Sequence, residues 1–158
     1  MNIGSVRIRE IVKSLRSFSR LDEADYKLVD IHEGIDNTLL ILQHRLKNNS
    51  TQSAIKIIKD YAQIPLVECY AGKLNQVFMN ILGNAIDALS EIRTSDTTAT
   101  ISISTRVIDK NLVKICIADN GTGIREEVGK NIFNPFFTTK PDGKGTGLGI
   151  SISYQIIV

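Results

Sequence analysis

Between residues 74 and 89 the apolar positions recur with the period of a helix. At about 100° per residue, Leu74, Phe78, Ile81, Leu82, Ala85, Ala88 and Leu89 share one broad face. Asn80, Asn84 and Asp87 share a second face, one turn apart along the axis. Asparagine is a poor interior helix residue, because its amide competes for backbone partners. Two of them stacked a turn apart, with a carboxylate beyond, ask for a reason. A solvated face is the plain one. A metal–phosphate site is the sharper one: amide and carboxylate oxygens are hard ligands that suit Mg²⁺, and amide nitrogens can donate to phosphate oxygens.

The same patterning predicts the remaining elements. Ile8, Ile11, Val12, Leu15 and Phe18 repeat at helical spacing among basic residues, which gives an amphipathic helix able to pack on its own domain or on a partner helix. A polar break at 21–25 leads to a short strand at 26–31. A helix follows over 32–46, with Ile35, Leu39, Leu42 and Leu46 inside. Residues 54–61 and 65–70 read as strands, and the asparagine helix follows directly, over 71–91. Residues 93–98 are small and polar, a surface loop. Residues 100–107 alternate with period two, Asp109-Lys110-Asn111 turns a hairpin, and 112–118 returns.

Length and composition narrow the classes. A chain of 158 residues with 42% hydrophobic and 23% charged residues suits one globular domain. A net charge of +2, from 19 basic and 17 acidic residues, gives no nucleic-acid footprint. No apolar run spans a bilayer and no signal-peptide core opens the chain, so no membrane contact and a cytoplasmic location are expected of this stretch. A parent protein could carry membrane spans elsewhere. Cys69 and Cys116 lie far apart among apolar residues and read as two reduced, buried thiols.

The second half of the chain adds glycine-rich chemistry. Asp119-Asn120-Gly121-Thr122-Gly123-Ile124 ends the return strand. It is either a strand-ending turn or a base-binding loop, in which glycines admit a flat ring and Asp119 accepts from an exocyclic amine. Adenine has that amine and guanine presents a carbonyl there, so a buried Asp119 would favour ATP over GTP. Ile132-Phe133-Asn134-Pro135-Phe136-Phe137-Thr138-Thr139-Lys140 carries three aromatics in a polar region, either a satellite cluster or a loop that packs down on something. Gly143-Lys144-Gly145-Thr146-Gly147-Leu148-Gly149 follows, with alternate glycines suited to cradling phosphate on backbone N–H groups. Its spacing is neither that of a Walker A loop nor that of the dinucleotide fingerprint.

Taken in order, Asn-x-x-x-Asn-Ala, Asp-x-Gly-x-Gly, Asn-Pro-Phe-Phe-Thr-Thr-Lys and Gly-x-Gly-Leu-Gly closely resemble the ATP-binding domain of sensor histidine kinases. That domain belongs to the superfamily shared with gyrase, the MutL mismatch-repair protein and a heat-shock chaperone. The resemblance implies a two-layer α/β sandwich of the Bergerat type, a mixed sheet with helices around 32–46, 71–91 and 147–158 on one face. It implies ATP and Mg²⁺ as cofactors. Asn84 is then the metal ligand, with Asn80 supporting the phosphates. Asp119 is the adenine acceptor, with Gly121, Gly123 and Ile124 beside the base. Gly145, Thr146, Gly147, Leu148 and Gly149 form the phosphate cradle. Residues 124–144 form a lid anchored by Phe133, Phe136 and Phe137, with Lys140 placed to meet a phosphate or to be solvated. Asp87 is either a water-mediated site residue or a solvated one.

The resemblance also sets expectations for the whole. Residues 1–20 look like the C-terminal part of the helical hairpin that dimerises these kinases and bears the phosphoacceptor histidine, and 21–158 like the catalytic domain. A homodimer through the N-terminal helix and a response regulator are the implied partners. His32-Glu33 imitates an acceptor pair but lacks the following proline, and is expected to be a surface histidine; His44 is expected to be solvated. No catalytic acceptor is therefore expected within the chain. In the gyrase-like ATPases a glutamate precedes the metal-binding asparagine by one turn and activates water. Here that position is Asn80, and an amide cannot take that proton. A gyrase- or MutL-like hydrolase, and a non-catalytic nucleotide-sensing or dimerisation module, are the alternatives. Family sheets continue past the final helix, so a truncation at residue 158 is expected, with association or a domain swap through the incomplete sheet.

Overall fold

The structure, a computed structural model, describes residues 25–47, 54–91, 98–140 and 145–158. The N-terminal helix predicted for residues 1–20 lies outside them, as does the loop predicted at 93–98 apart from Thr98. Five strands and five helices are described: β1 (Tyr26–Val29), α1 (Ile31–Ile41), α2 (Gln43–Leu46), β2 (Lys56–Tyr61), β3 (Val67–Tyr70), α3 (Ala71–Glu91), β4 (Thr100–Asp109), β5 (Leu112–Asp119), α4 (Glu126–Gly129) and α5 (Gly149–Ile157). No helix among the described residues is long and apolar enough to cross a membrane.

The expected mixed sheet has three strands in the order β2-β4-β5. β2 runs parallel to β4, from Lys56 opposite Thr100 to Tyr61 opposite Thr105. A parallel neighbour requires a crossover, and α3 supplies it. β4 and β5 form the antiparallel hairpin, with a register irregularity between Val107 and Asp109. β1 and β3 pair separately as a two-stranded antiparallel ribbon. Period two in β4 is resolved as predicted: Ile101, Ile103 and Thr105 are buried under the helices, while Ser102 and Arg106 point away.

Helix α1 begins at Asp30, whose Oδ1 accepts the N–H groups of His32 (2.9 Å) and Glu33 (3.3 Å), as an N-cap should. The single helix predicted to Leu46 breaks at Leu42 and resumes as the short α2. α1 crosses α3 at Gly34, where an added Cβ would stand 2.6 Å from Asn75 Oδ1 and 3.3 Å from Phe78. That approach seats Ile31, Ile35 and Leu39 against Phe78, Leu82 and Ile86 in one core with Ile101 and Ile103.

Helix α3 is enclosed more fully than one amphipathic face requires. Val77 and Ile86 are buried as well as the predicted Leu74, Phe78, Leu82, Ala85 and Leu89. The sheet covers one side, α1 a second and α5 a third. α5 turns small residues inward: Ser151 and Ser153 are buried, whereas Tyr154 and Ile157 are exposed. Ile157 at its end joins an open cavity of about 540 Å³ between α3 and β5, lined also by Leu74, Phe78, Ile81, Ile115 and Ile117. Among the described residues β5 pairs only with β4.

Two expectations are corrected. Cys116 is exposed and Cys69 only half-buried, because Cys116 alternates with the inward-facing Ile115 and Ile117 of β5. Burial pushes the Cys69 thiol above its ordinary pKa. His32 is half-buried and structural: its ring stacks on Tyr61 with centroids 4.2 Å apart, and its Nε2 lies 2.9 Å from Thr105 Oγ1. The Tyr61 hydroxyl in turn donates to Asp36 (2.9 Å), and burial with that carboxylate raises the phenol's pKa.

Leu82 sits at the centre of this core with no exposure. Leu82→Ala is expected to cost about 2–5 kcal/mol. Urea unfolding reads it, and an unchanged midpoint would contradict the packing described.

Candidate nucleotide site

The strip of α3 that the core leaves uncovered carries Asn80, Asn84 and Asp87, all half-buried. Each has found partners from elsewhere in the chain. Asn80 Nδ2 donates to the carbonyl of Gly149 (3.0 Å) and to Ser153 Oγ (3.2 Å), and Ser153 Oγ donates to the same carbonyl (2.8 Å). These bonds fasten the first turn of α5 to the middle of α3. One turn on, Asn84 Oδ1 accepts from Lys140 Nζ at 3.3 Å. Lys140 also pairs with Asp87 Oδ2, and Asp87 Oδ1 pairs with Arg45. These pairs are partly exposed, so they add little to stability. What they fix is the position of three charges.

The loop after β5 meets the same helix further along. Asp119 Oδ1 accepts the Gly121 N–H at 2.8 Å, closing an Asx-type turn. An added Cβ on Gly121 would lie 3.3 Å from Ala88 Cβ, so the glycine lets the loop back onto α3. Asn120 pins the loop to β4 by accepting the Thr100 N–H (2.7 Å) and donating to the Thr98 carbonyl (3.0 Å). Gly123 has φ +72°, a conformation that L side chains rarely adopt. Asp119 is exposed, so its free carboxylate oxygen faces solvent. Ile124 is exposed beside it.

Residues 125–140 form α4 and a run of turns, tied by Asn134 Nδ2 donating to Asn131 Oδ1 (3.1 Å). Of the three expected aromatic anchors, Phe133 packs on Tyr154 of α5, with ring centroids 5.0 Å apart, and Phe137 is half-buried. Phe136 is 75% exposed and adopts φ +67°. Its strained backbone is where the glycine run docks. Gly147 has φ +65°, and an added Cβ would stand 2.3 Å from the Phe136 carbonyl carbon. Gly145 lies against Thr138 and Lys140 in the same way, with 2.6 Å from an added Cβ to Thr138 Oγ1. Gly145 and Gly147 are thus packing positions, whatever else they serve.

The run ends at the N-terminus of α5. Leu148 is its N-cap and gives no side-chain hydrogen bond to the helix. The first-turn N–H groups therefore keep the donor capacity and positive dipole end that an anion would use. Exposed Thr146 turns its Oγ1 toward the Leu148 N–H (3.4 Å). Asn84 Oδ1, a neutral hard oxygen one turn away along α3, suits a divalent cation that arrives already bound to phosphate. The donor set fits a metal–polyphosphate better than a free metal ion.

The structure brings together Asn80 with Gly149, Asn84 and Asp87 with Lys140, Gly121 with α3, and Gly145 and Gly147 with the lid segment. Gly123 and Ile124 stand apart from these contacts: a Cβ on Gly123 would meet nothing within 4 Å, and Ile124 is exposed. Sequence reasoning missed Arg45 and Ser153. Arg45 lies 42 residues from Asp87, so no spacing links them. Ser153 was hidden between Ile152 and Tyr154, in a run whose period favoured neither helix nor strand.

Comparison with known proteins agrees with this geometry. The family described as histidine kinase-, DNA gyrase B- and HSP90-like ATPase matches residues 70–158. Sporulation kinase E of Bacillus subtilis is 30% identical over 151 residues, which cover 96% of this chain and 19% of that protein. The signal transduction histidine-protein kinase AtoS of Escherichia coli is 32% identical over 151 residues, which cover 95% of this chain and 23% of that protein. The chain thus spans about a fifth of the length of these relatives. The nucleotide-free catalytic domain of histidine kinase ThkA superposes with a TM-score of 0.67 at 28% identity, over 84% of this chain and 80% of that one. The mycobacterial sensor histidine kinase MprB shares the fold, with a TM-score of 0.65 at 24% identity, over 84% of this chain and 78% of that one. The chain belongs to the family of histidine kinase-, DNA gyrase B- and HSP90-like ATPases, as an ATP-binding catalytic domain of the sensor-histidine-kinase type.

Proposed function

We propose that this domain binds ATP with Mg²⁺ and presents the γ-phosphoryl group to a histidine of a two-component kinase's dimerisation hairpin, of which residues 1–20 are the C-terminal part. The observation that carries the reading is the uncapped N-terminus of α5, fastened by Asn80 beside the amide oxygen of Asn84.

Each residue has a task in this account. The carboxylate of Asp119 accepts from the adenine amine, with Gly121, Gly123 and Ile124 lining the approach. The N–H groups of residues 145–149 hold the phosphates. Asn80 serves the phosphates through α5, since its amide nitrogen already holds Gly149 and Ser153. Asn84 ligates the metal, which when bound draws charge from the transferring phosphoryl group. Phe133 fixes the lid segment against Tyr154. Phosphoryl transfer depends chiefly on positioning and charge neutralisation, so this half-site needs no base of its own. The place where a hydrolase would keep a carboxylate base is Asn80, which favours transfer over hydrolysis. A homodimer through the N-terminal helix and a response regulator complete the proposed pathway.

Calorimetric titration should show ATP bound in preference to GTP, with Asp119→Asn weakening ATP about tenfold or more, since an amide whose oxygen keeps the Gly121 N–H turns its NH2 toward the adenine amine. Equal affinities for the two nucleotides would remove the adenine reading. Gly147→Ala forces a side chain into the Phe136 backbone, and should abolish measurable binding while circular dichroism keeps the helix content. Supplied with a separate histidine hairpin and Mg²⁺, the chain should transfer phosphate to it. Steady phosphate release without the hairpin would point to a hydrolase instead.

A further inference from the structure

Lys140 reaches α3 from the phosphate side. Its stem packs beside Gly145 of the glycine run, and its ammonium stands 3.3 Å from Asn84 Oδ1 while pairing with Asp87. Asp87 is shared, because its other oxygen holds Arg45. Two cations and one carboxylate leave this cluster at a formal +1 (two minus one). Asp87 is therefore a positioning residue, engaged by protein cations on both oxygens, and Arg45 steadies it from the far side. A divalent ion brought to Asn84 would meet the Lys140 ammonium there, and like charges at that range repel. The ammonium ends a flexible four-carbon stem and can leave at little cost.

We propose that Lys140 is the resident cation of the site. Its ammonium holds the Asn84 oxygen in the nucleotide-free protein, is the first cation of the chain to meet the polyphosphate, and yields that oxygen where Mg²⁺ comes in with the phosphates. The proposal rests on the nucleotide reading above and adds to it an order of events and a role for Asp87 and Arg45. Lys140 then supports ATP binding most strongly where no metal is present.

Calorimetry on the full 158-residue chain separates the possibilities, with ATP titrated in excess chelator and again in saturating Mg²⁺. The wild type should bind under both conditions. Lys140→Met should weaken metal-free ATP about tenfold, the loss of one charge-assisted contact, and change the Mg²⁺-loaded affinity by no more than about twofold. Equal weakening under both conditions would make Lys140 a phosphate contact of the loaded state and overturn the proposal. No change under either would make it a solvated lysine and overturn the proposal as well. Wild-type binding that requires Mg²⁺ would also overturn it, while leaving the nucleotide site intact. Wild-type binding under neither condition would bring down the nucleotide reading itself. The resident contact has its own readout in the nucleotide-free protein. Asp87→Asn should raise amine-reactive labelling of Lys140 several-fold by mass spectrometry, and unchanged labelling would contradict the contact.

Discussion

Helix α3 is enclosed by the sheet, α1 and α5, and the one strip left over is polar. That constraint governs the rest of the domain. Half-buried amides and a carboxylate take protein partners wherever the fold brings donors and acceptors within reach. The chain answers with the first turn of α5 at Asn80, Lys140 at Asn84, and Arg45 with Lys140 at Asp87. Two of these groups, the N-terminus of α5 and the Lys140 ammonium, are also those a polyphosphate would meet in the proposed site. Satisfying the helix and building the proposed anion site are one operation.

The glycines follow from the same crowding. Gly34 brings α1 close to α3, and Gly121 brings the loop after β5 against Ala88. Gly147 is more demanding, since it nests on the backbone of Phe136 with both residues at positive φ. A non-glycine residue in that region stores strain, of order 1–3 kcal/mol, that the surroundings must hold in place. Here the docked glycine run, with Phe133 against Tyr154 nearby, holds it. Residues 133–140 and the glycine run are therefore one packed unit, and a change in either should be felt by the other.

Much of this was legible in the sequence because its signals are local. The helical period over residues 74–89, the alternation over 100–107 and the Asp-Lys-Asn turn each fix an element within a few residues. The asparagine strip could be read from spacing alone. What escaped was set by contacts distant in sequence. Val77 and Ile86 flank the predicted face of α3 and are buried with it, which widens the enclosed arc beyond the residues that set the period. Arg45 joins Asp87 across 42 residues, and His32 joins Thr105 across 73. The period of the apolar run after Gly149 settled neither helix nor strand; it is a helix whose serines face inward, where Ser153 meets Asn80. Cys116 among apolar residues looked buried, and strand alternation put it outside.

The central claim is that nucleotide phosphates meet the chain at the junction of the asparagine strip with the N-terminus of α5. Amide and side-chain NMR shifts during a titration with Mg²⁺ and a non-hydrolysable ATP analogue would test it most directly. The largest changes are predicted at the side-chain amides of Asn80 and Asn84, at the backbone of Gly145, Gly147 and Gly149, and at Gly121 beside Asp119. Shifts confined to the apolar cavity between α3 and β5, with the asparagine amides unmoved, would contradict it.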